Sequence, residues 1–134
     1  MGYGFGAYKK TSITTAAKEE VLLLLYRGAI KHAKNAVTAL EKKDIKNKSI
    51  HIGKFQDIII ELSECLDFKI DEQDNTNIAL ELGRLYDYMC SQATQASIQM
   101  EPEHMRECLT LITTLYEGWT EAIKQLKKAN NLPG

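Results

Sequence analysis

PEHMRECLTLITTLYEGWTEAIKQLK, residues 102–127, places an apolar side chain at every third or fourth position along its length. Residues with this spacing share one face of an α-helix, because the helix completes a turn about every 3.6 residues. The stretch also opens with a proline flanked by Glu101 and Glu103, which suits the first turn of a helix. We therefore predict an amphipathic helix over residues 102–127. Its apolar face carries Met105, Leu109, Ile112, Tyr116, Trp119, Ile123 and Leu126.

Three segments upstream repeat this apolar spacing and are separated by polar stretches. The spacing predicts helices over residues 18–41, 49–66 and 76–99. Residues 42–48 are mostly charged, and residues 67–77 are rich in aspartate and asparagine, so both stretches are predicted to be connections. The buried face expected for the third helix consists of Ile78, Leu82, Leu85, Met89 and Ala93.

The four predicted helices are similar in length and are joined by short links. Segments of about 20 to 25 residues form helices roughly 30 to 37 Å long. Short links favour antiparallel neighbours, and one apolar face per helix is typical of a bundle. We therefore predict a single all-α domain over residues 1–134, an antiparallel up-down-up-down four-helix bundle. Residues 1–15, with three alternating glycines, are expected to form an irregular N-terminal segment.

The charge, hydropathy and cysteine content of the chain argue against several classes of function. Seventeen basic residues nearly balance eighteen acidic ones and form no long single-sign run, so we expect no nucleic acid partner. The longest apolar run, residues 21–26, is far shorter than the ~20 residues that span a bilayer, and we expect neither membrane insertion nor a secretory signal. Three widely spaced cysteines fit neither disulfides nor a metal motif, and we interpret them as reduced core residues of a cytoplasmic chain.

The residues that can carry chemistry form no catalytic or cofactor-binding pattern. Glu101 and His104 have the spacing of a di-iron ligand pair, but they occur once and at a helix start, whereas such a site needs two pairs. Ser, Cys and His residues are too scattered to suggest a nucleophile with its base. We expect a non-enzyme without cofactor or metal. His32, flanked by lysines, resembles the exposed histidine of four-helix phosphotransfer proteins, and this signalling function is the alternative.

The apolar pattern exceeds what a bundle core requires. On a helical wheel, the second and fourth helices carry apolar residues well away from their main apolar faces. A groove of such residues accepts an amphipathic partner helix, and apolar residues of the N-terminal segment could cover it until a partner arrives. Flanking residues that only seal the edges of the bundle, or a homodimer, are the other interpretations. The residues predicted to bind a partner are Phe5, Tyr8, Ile13, Ile58, Cys65, Leu111 and Leu115.

Four stretches together resemble the FliS family of flagellin export chaperones. They are EEVLLLLYRGA at residues 19–29, CLD at 65–67, LYDYM at 85–89 and Trp119 in the last helix, in the order and spacing of the family. Arg27 departs from the pattern, because the family usually has aspartate there. The resemblance extends over residues 3–126.

This resemblance implies a cytosolic chaperone that binds the disordered C-terminal segment of flagellin. Such a chaperone prevents premature filament assembly and delivers flagellin to the flagellar type III export gate. Phe5-Gly6-Ala7-Tyr8 is similar to the family's N-terminal apolar-x-x-Tyr element. That similarity implies that the element covers the groove and contacts the export gate protein FlhA.

Overall fold

The computed structural model describes residues 15–66 and 78–130, which form four α-helices and no strand. The prediction of an all-α four-helix arrangement is confirmed. None of these helices is both long and apolar enough to cross a membrane. The helices are α1 (Thr15–Glu41), α2 (Ile45–Glu64), α3 (Ile78–Gln99) and α4 (Glu103–Asn130).

The helices close into a ring in the order α1, α2, α3, α4, in which each packs against two neighbours. Neighbours run antiparallel, because residues near the start of one helix meet residues near the end of the next. Lys48, near the start of α2, donates from Nζ to the carbonyl of Ser97 near the end of α3, at 3.1 Å. The other edges show the same pattern in the pairs His32–His51, Tyr88–Glu107, Arg27–Tyr116 and Glu41–Arg106.

The link between α1 and α2 is shorter than predicted, since only residues 42–44 lie between the two helices. Asp44 caps α2: its Oδ1 accepts a hydrogen bond from the backbone N–H of Asn47 at 3.1 Å, which satisfies a free donor of the first turn. The predicted start of α2 at residue 49 is therefore wrong. Charged residues alone do not end a helix, since lysine is a good helix former.

Helices α1 and α3 end at Glu41 and Gln99 as predicted, and the remaining described ends differ from the prediction by one to three residues. Helix α1 begins at Thr15 instead of residue 18, and α2 ends at Glu64 instead of residue 66. Helix α4 begins one residue later and ends at Asn130, three residues later than predicted. The predicted start of α3 at residue 76 lies outside the described residues.

Helices α1 and α3 are each followed by a residue in the left-handed backbone region. Lys43 has φ 57° and Met100 has φ 55°. After α1, the N–H of Asp44 donates to the Ala39 carbonyl at 2.8 Å and that of Lys43 donates to the Leu40 carbonyl at 3.1 Å. This bond pair defines a Schellman motif, which satisfies the last carbonyls of the helix. It also stabilises a backbone conformation that costs a residue with a side chain about 1–2 kcal/mol.

The core combines large side chains from some helices with small ones from others. Helix α1 contributes buried alanines at positions 29, 33 and 36, and α3 contributes them at 93 and 96. Large side chains from the facing helices fill the space that the alanines leave, as close packing requires. The largest fully buried side chains are Tyr26, Tyr86, Phe55, Leu40, Ile59, Leu62, Met89, Met105 and Ile112.

The buried face of α3 is rotated from the predicted one. Of the five predicted residues, Met89 and Ala93 are buried, the two leucines are half-buried, and Ile78 is 55% exposed. Ala79, Tyr86 and Ala96 are buried although the predicted face did not include them. The buried positions are Ala79, Tyr86, Met89, Ala93 and Ala96.

Two further predictions about buried residues are wrong. Leu126 is 55% exposed, because it lies on the final turns of α4, near the free end of the bundle. Cys65 is exposed at the end of α2, so it is not a core residue. Cys108 is buried and Cys90 is half-buried, and all three thiols are free.

Candidate functional site

Hydrogen bonds between three aromatic side chains join α1, α3 and α4 inside the bundle. The Nε1–H of Trp119 donates to the hydroxyl of Tyr26 at 2.9 Å, and the hydroxyls of Tyr26 and Tyr86 share a bond of 2.5 Å. Burial raises the pKa of both tyrosines above the ordinary value, so both hydroxyls keep their protons at neutral pH. These three residues fix the positions of three helices, and thereby the shapes of the grooves between them.

Half-buried and exposed apolar side chains border the edge between α3 and α4, beside a polar contact of Gln92 with His104 and Glu107. A hydrogen bond from the Tyr88 hydroxyl to Glu107 marks this edge. Leu111 and Leu115 follow Glu107 at helical spacing, are half-buried, and pack against the core. Gly118 continues the same edge and has open space where a side chain would begin. We name these residues the α3–α4 groove: Ile78, Leu85, Tyr88, Leu111, Leu115 and Gly118.

Two residues of the groove expose much of their apolar surface. Ile78 is 55% exposed and Tyr88 is 43% exposed. The Tyr88 hydroxyl donates to both carboxylate oxygens of Glu107, at 2.9 and 2.8 Å, which raises the pKa of Tyr88 and holds its ring at the groove margin. Fully burying one large apolar side chain stabilises a complex by about 1.5–3 kcal/mol. The groove can therefore gain binding energy by accepting an apolar helix face.

Ile58 lies on another edge of the bundle. It is half-buried in α2 beside α1, where its Cδ1 lies 3.2 Å from the position that a Cβ on Gly28 would take. The α1–α2 edge is opposite the α3–α4 edge in the ring, so the structure separates Ile58 from Leu111 and Leu115. Cys65 is exposed just beyond the end of α2, close enough to Tyr86 of α3 for their charges to interact.

The predicted site omitted several apolar residues that the structure exposes. Most of these residues lie off the main apolar face of their helix, whereas Ile78 and Leu126 lie on the predicted apolar faces but near helix ends. The predicted cover formed by Phe5, Tyr8 and Ile13 lies outside the described residues. The exposed apolar residues that the predicted site left out are Val21, Leu24, Ile45, Ile50, Ile60, Ile78, Leu80, Tyr88, Ile98 and Leu126.

His32 contacts another helix instead of lying on an open polar face. Its Nδ1 lies 3.0 Å from Nδ1 of His51 on α2, and its ring is half-buried. Burial, and after it the neighbouring His51, lowers the pKa of His32 below the ordinary value. Within the described ranges, no three His, Cys, Asp or Glu side chains are placed to share a metal ion. The contacts of His32 indicate a role in packing α1 against α2.

Comparison with known proteins gives matches over most of the chain. Residues 1–126 match the family described as "Flagellar protein FliS". The chain is 31% identical over 124 residues to the flagellar secretion chaperone FliS of Bacillus subtilis, covering 92% of this chain and 89% of that protein. It is 31% identical over 119 residues to FliS of Vibrio cholerae, covering 86% and 85%. It is 26% identical over 122 residues to FliS of Salmonella typhimurium, covering 88% of each.

Proposed function

Since the chain belongs to the FliS family of flagellar secretion chaperones, we propose that it binds the disordered C-terminal segment of flagellin in the cytosol. While bound, the segment cannot take part in premature filament assembly. The complex is then delivered to the flagellar type III export gate. The role is one of binding, without a catalytic step.

The α3–α4 groove is the observation that carries this proposal. A disordered segment that folds on binding can lay the apolar face of a helix against Leu111 and Leu115. Ordering the segment costs conformational entropy, so several apolar anchors must be buried together. Ile78 and Tyr88, which are exposed in the free chain, supply that additional surface.

The remaining predicted contacts extend the proposal. Phe5 and Tyr8 are proposed to contact the export gate protein FlhA, because residues 5–8 are similar to the family's N-terminal element. Ile13, Ile58 and Cys65 are proposed to contact the part of flagellin that extends beyond the groove. A disordered segment is long enough to reach both edges by passing around one end of the bundle.

Replacing the groove leucines tests this proposal. A peptide with the C-terminal sequence of the flagellin from the same organism is titrated calorimetrically into the wild-type chain and into Leu111→Gln/Leu115→Gln. We expect the double variant to bind at least tenfold more weakly, about 1.4 kcal/mol, because its amides oppose apolar burial. Leu126→Gln is the matched control on the same helix and is expected to bind as the wild type. Unchanged binding by a folded double variant, checked by circular dichroism, would contradict the proposal.

A second copy of the chain is a competing occupant of the same groove. In a homodimer, the melting temperature rises with protein concentration, because association stabilises the folded state. Analytical ultracentrifugation with and without the peptide separates the two cases. If the groove serves flagellin, the peptide dissociates any dimer that covers it.

A further inference from the structure

Charge is distributed unevenly over the bundle. Residues 27–54 contain eight basic and two acidic residues, whereas the rest of the chain contains nine basic and sixteen acidic ones. This segment comprises the second half of α1, the link, and the first half of α2. The near-neutral total therefore combines a strongly positive region with a negative remainder. Apolar residues interrupt the lysines in sequence, so the region forms no single-sign run.

The two acidic residues of the positive region are already engaged. The Asp44 carboxylate accepts hydrogen bonds from the backbone N–H and the side-chain amide of Asn47, at 3.1 and 2.7 Å. Glu41 forms an ion pair with Arg106 of α4. The exposed lysines around them form no ion pair with the rest of the described structure. We name these the lysine face: Lys31, Lys42, Lys43, Lys46 and Lys54.

The lysine face surrounds the edge between α1 and α2. Lys31 and Lys54 lie close enough to His32 for their charges to lower its pKa. Nearer the link, the two helices leave a hollow whose ammonium, amide and imidazole groups can donate hydrogen bonds. Its polar lining consists of Asn35, Thr38, Lys42, Asp44, Asn47 and His51.

We propose that the lysine face is a docking surface for a short acidic segment of a partner protein. Carboxylates of such a segment pair with lysines that form no ion pair within the described chain. Binding of carboxylates to these lysines is favourable because the lysines repel one another in the free protein. The α3–α4 groove lies on the opposite edge, so a peptide that fills the groove alone leaves the lysine face open.

Other polyanions fit this face less well. Asp57, Glu61 and Glu64 follow Lys54 along α2 and are exposed, so a long polyanion aligned with the edge would meet like charges. An anionic bilayer would meet them too. The aromatic residues of α1 and α2 are buried, which leaves no stacking platform for nucleic acid bases in these helices. A short acidic segment avoids these conflicts.

Nuclear magnetic resonance with a defined peptide tests the proposal. A ten-residue peptide of alternating glutamate and alanine is titrated into the ¹⁵N-labelled full chain at low salt. We expect shifts concentrated in residues 27–54 and weaker binding as salt rises, because salt screens exposed charges. In Lys31→Gln/Lys46→Gln/Lys54→Gln the affinity is expected to fall at least tenfold.

A matched triple variant controls for net charge. Lys124→Gln/Lys127→Gln/Lys128→Gln removes three lysines from the last turns of α4 and is expected to bind the peptide as the wild type. The lysine-face variant should still bind the flagellin peptide, which separates this proposal from the preceding one. Three results would overturn it: no shifts at millimolar peptide, equal weakening in both triple variants, or tighter binding of oligothymidylate or phosphatidylserine vesicles to the same residues.

Discussion

Removing single hydroxyls from the aromatic hydrogen-bond chain gives a quantitative test of what holds the bundle together. Tyr86 is 2% exposed, so water cannot replace a bond that its hydroxyl loses. In Tyr26→Phe, the Tyr86 hydroxyl is left buried without its partner, whereas in Tyr86→Phe the Tyr26 hydroxyl still accepts from the Trp119 N–H. A buried polar group without a partner costs about 1–3 kcal/mol, so we expect Tyr26→Phe to lose stability in this range and Tyr86→Phe to lose less. Trp119 is half-buried, so water can satisfy its N–H in Tyr26→Phe.

The double variant Tyr26→Phe/Tyr86→Phe is the decisive member of the set. It removes both hydroxyls together, so we expect its cost to be about 1–2 kcal/mol below the sum of the single costs. Urea denaturation followed by circular dichroism measures these values, and 1 kcal/mol corresponds to roughly 3–5 °C in melting temperature for this length. Tyr88→Phe, which alters a surface hydroxyl, is expected to stay within about 0.5 kcal/mol of the wild type. Two results would refute the hydrogen bond between Tyr26 and Tyr86: a double variant whose loss of stability equals the sum of the single losses, or single variants that are as stable as Tyr88→Phe.

Two further predictions concern the first link and the α1–α2 edge. Lys43→Gly is expected to stabilise the chain by about 0.5–1 kcal/mol, because glycine adopts the positive φ of Lys43 without steric cost but loses more backbone entropy. A lower urea midpoint for this variant would contradict that account. Because the pKa of His32 is lowered in the folded chain, the unfolded chain binds the proton more tightly. The contribution of His32 to stability is therefore complete above the ordinary pKa of 6.5. It is lost as the pH falls from 6.5 toward the lowered pKa. We expect His32→Gln to reduce the loss of stability between pH 7 and pH 5, and equal losses in variant and wild type would show that His32 does not contribute.

The sequence predicted the faces of α1 and α4 well because their buried positions repeat without interruption. Ala29, Ala33 and Ala36 are buried in α1, and Met105 and Ile112 are buried in α4, all at the three- or four-residue spacing that predicted these helices. Where every third or fourth residue is apolar, a helix can bury all of these residues in only one orientation about its own axis. The ring of four antiparallel helices then follows from the short links.

The prediction failed where local chemistry competed with this pattern. The start of α2 was missed because its first turn is exposed and charged, and the capping bond of Asp44 decides where the helix begins. In α3, alanines allow Tyr86 to enter the core, and its hydroxyl finds a buried partner on α1 that no single-helix pattern can reveal. Lys48 is buried because its ammonium reaches Ser97 of α3. The candidate site could not be predicted fully for the same reason. A helical wheel shows which residues of one helix point away from the core, but it does not show which residues of two helices lie on the same edge of the bundle.

Trp119 also provides an optical signal that requires no label. It is the only tryptophan of the chain, and its indole N–H bonds to Tyr26 where α1 and α4 meet. When tryptophan alone is excited, the emission therefore originates at one junction. Its wavelength and intensity change when the packing or the hydration of that junction changes. A ligand seated along α4 should change this emission if it shifts the helix. A ligand held on the far side of the ring should leave it unchanged, so one spectrum can indicate which side of the molecule a partner has reached.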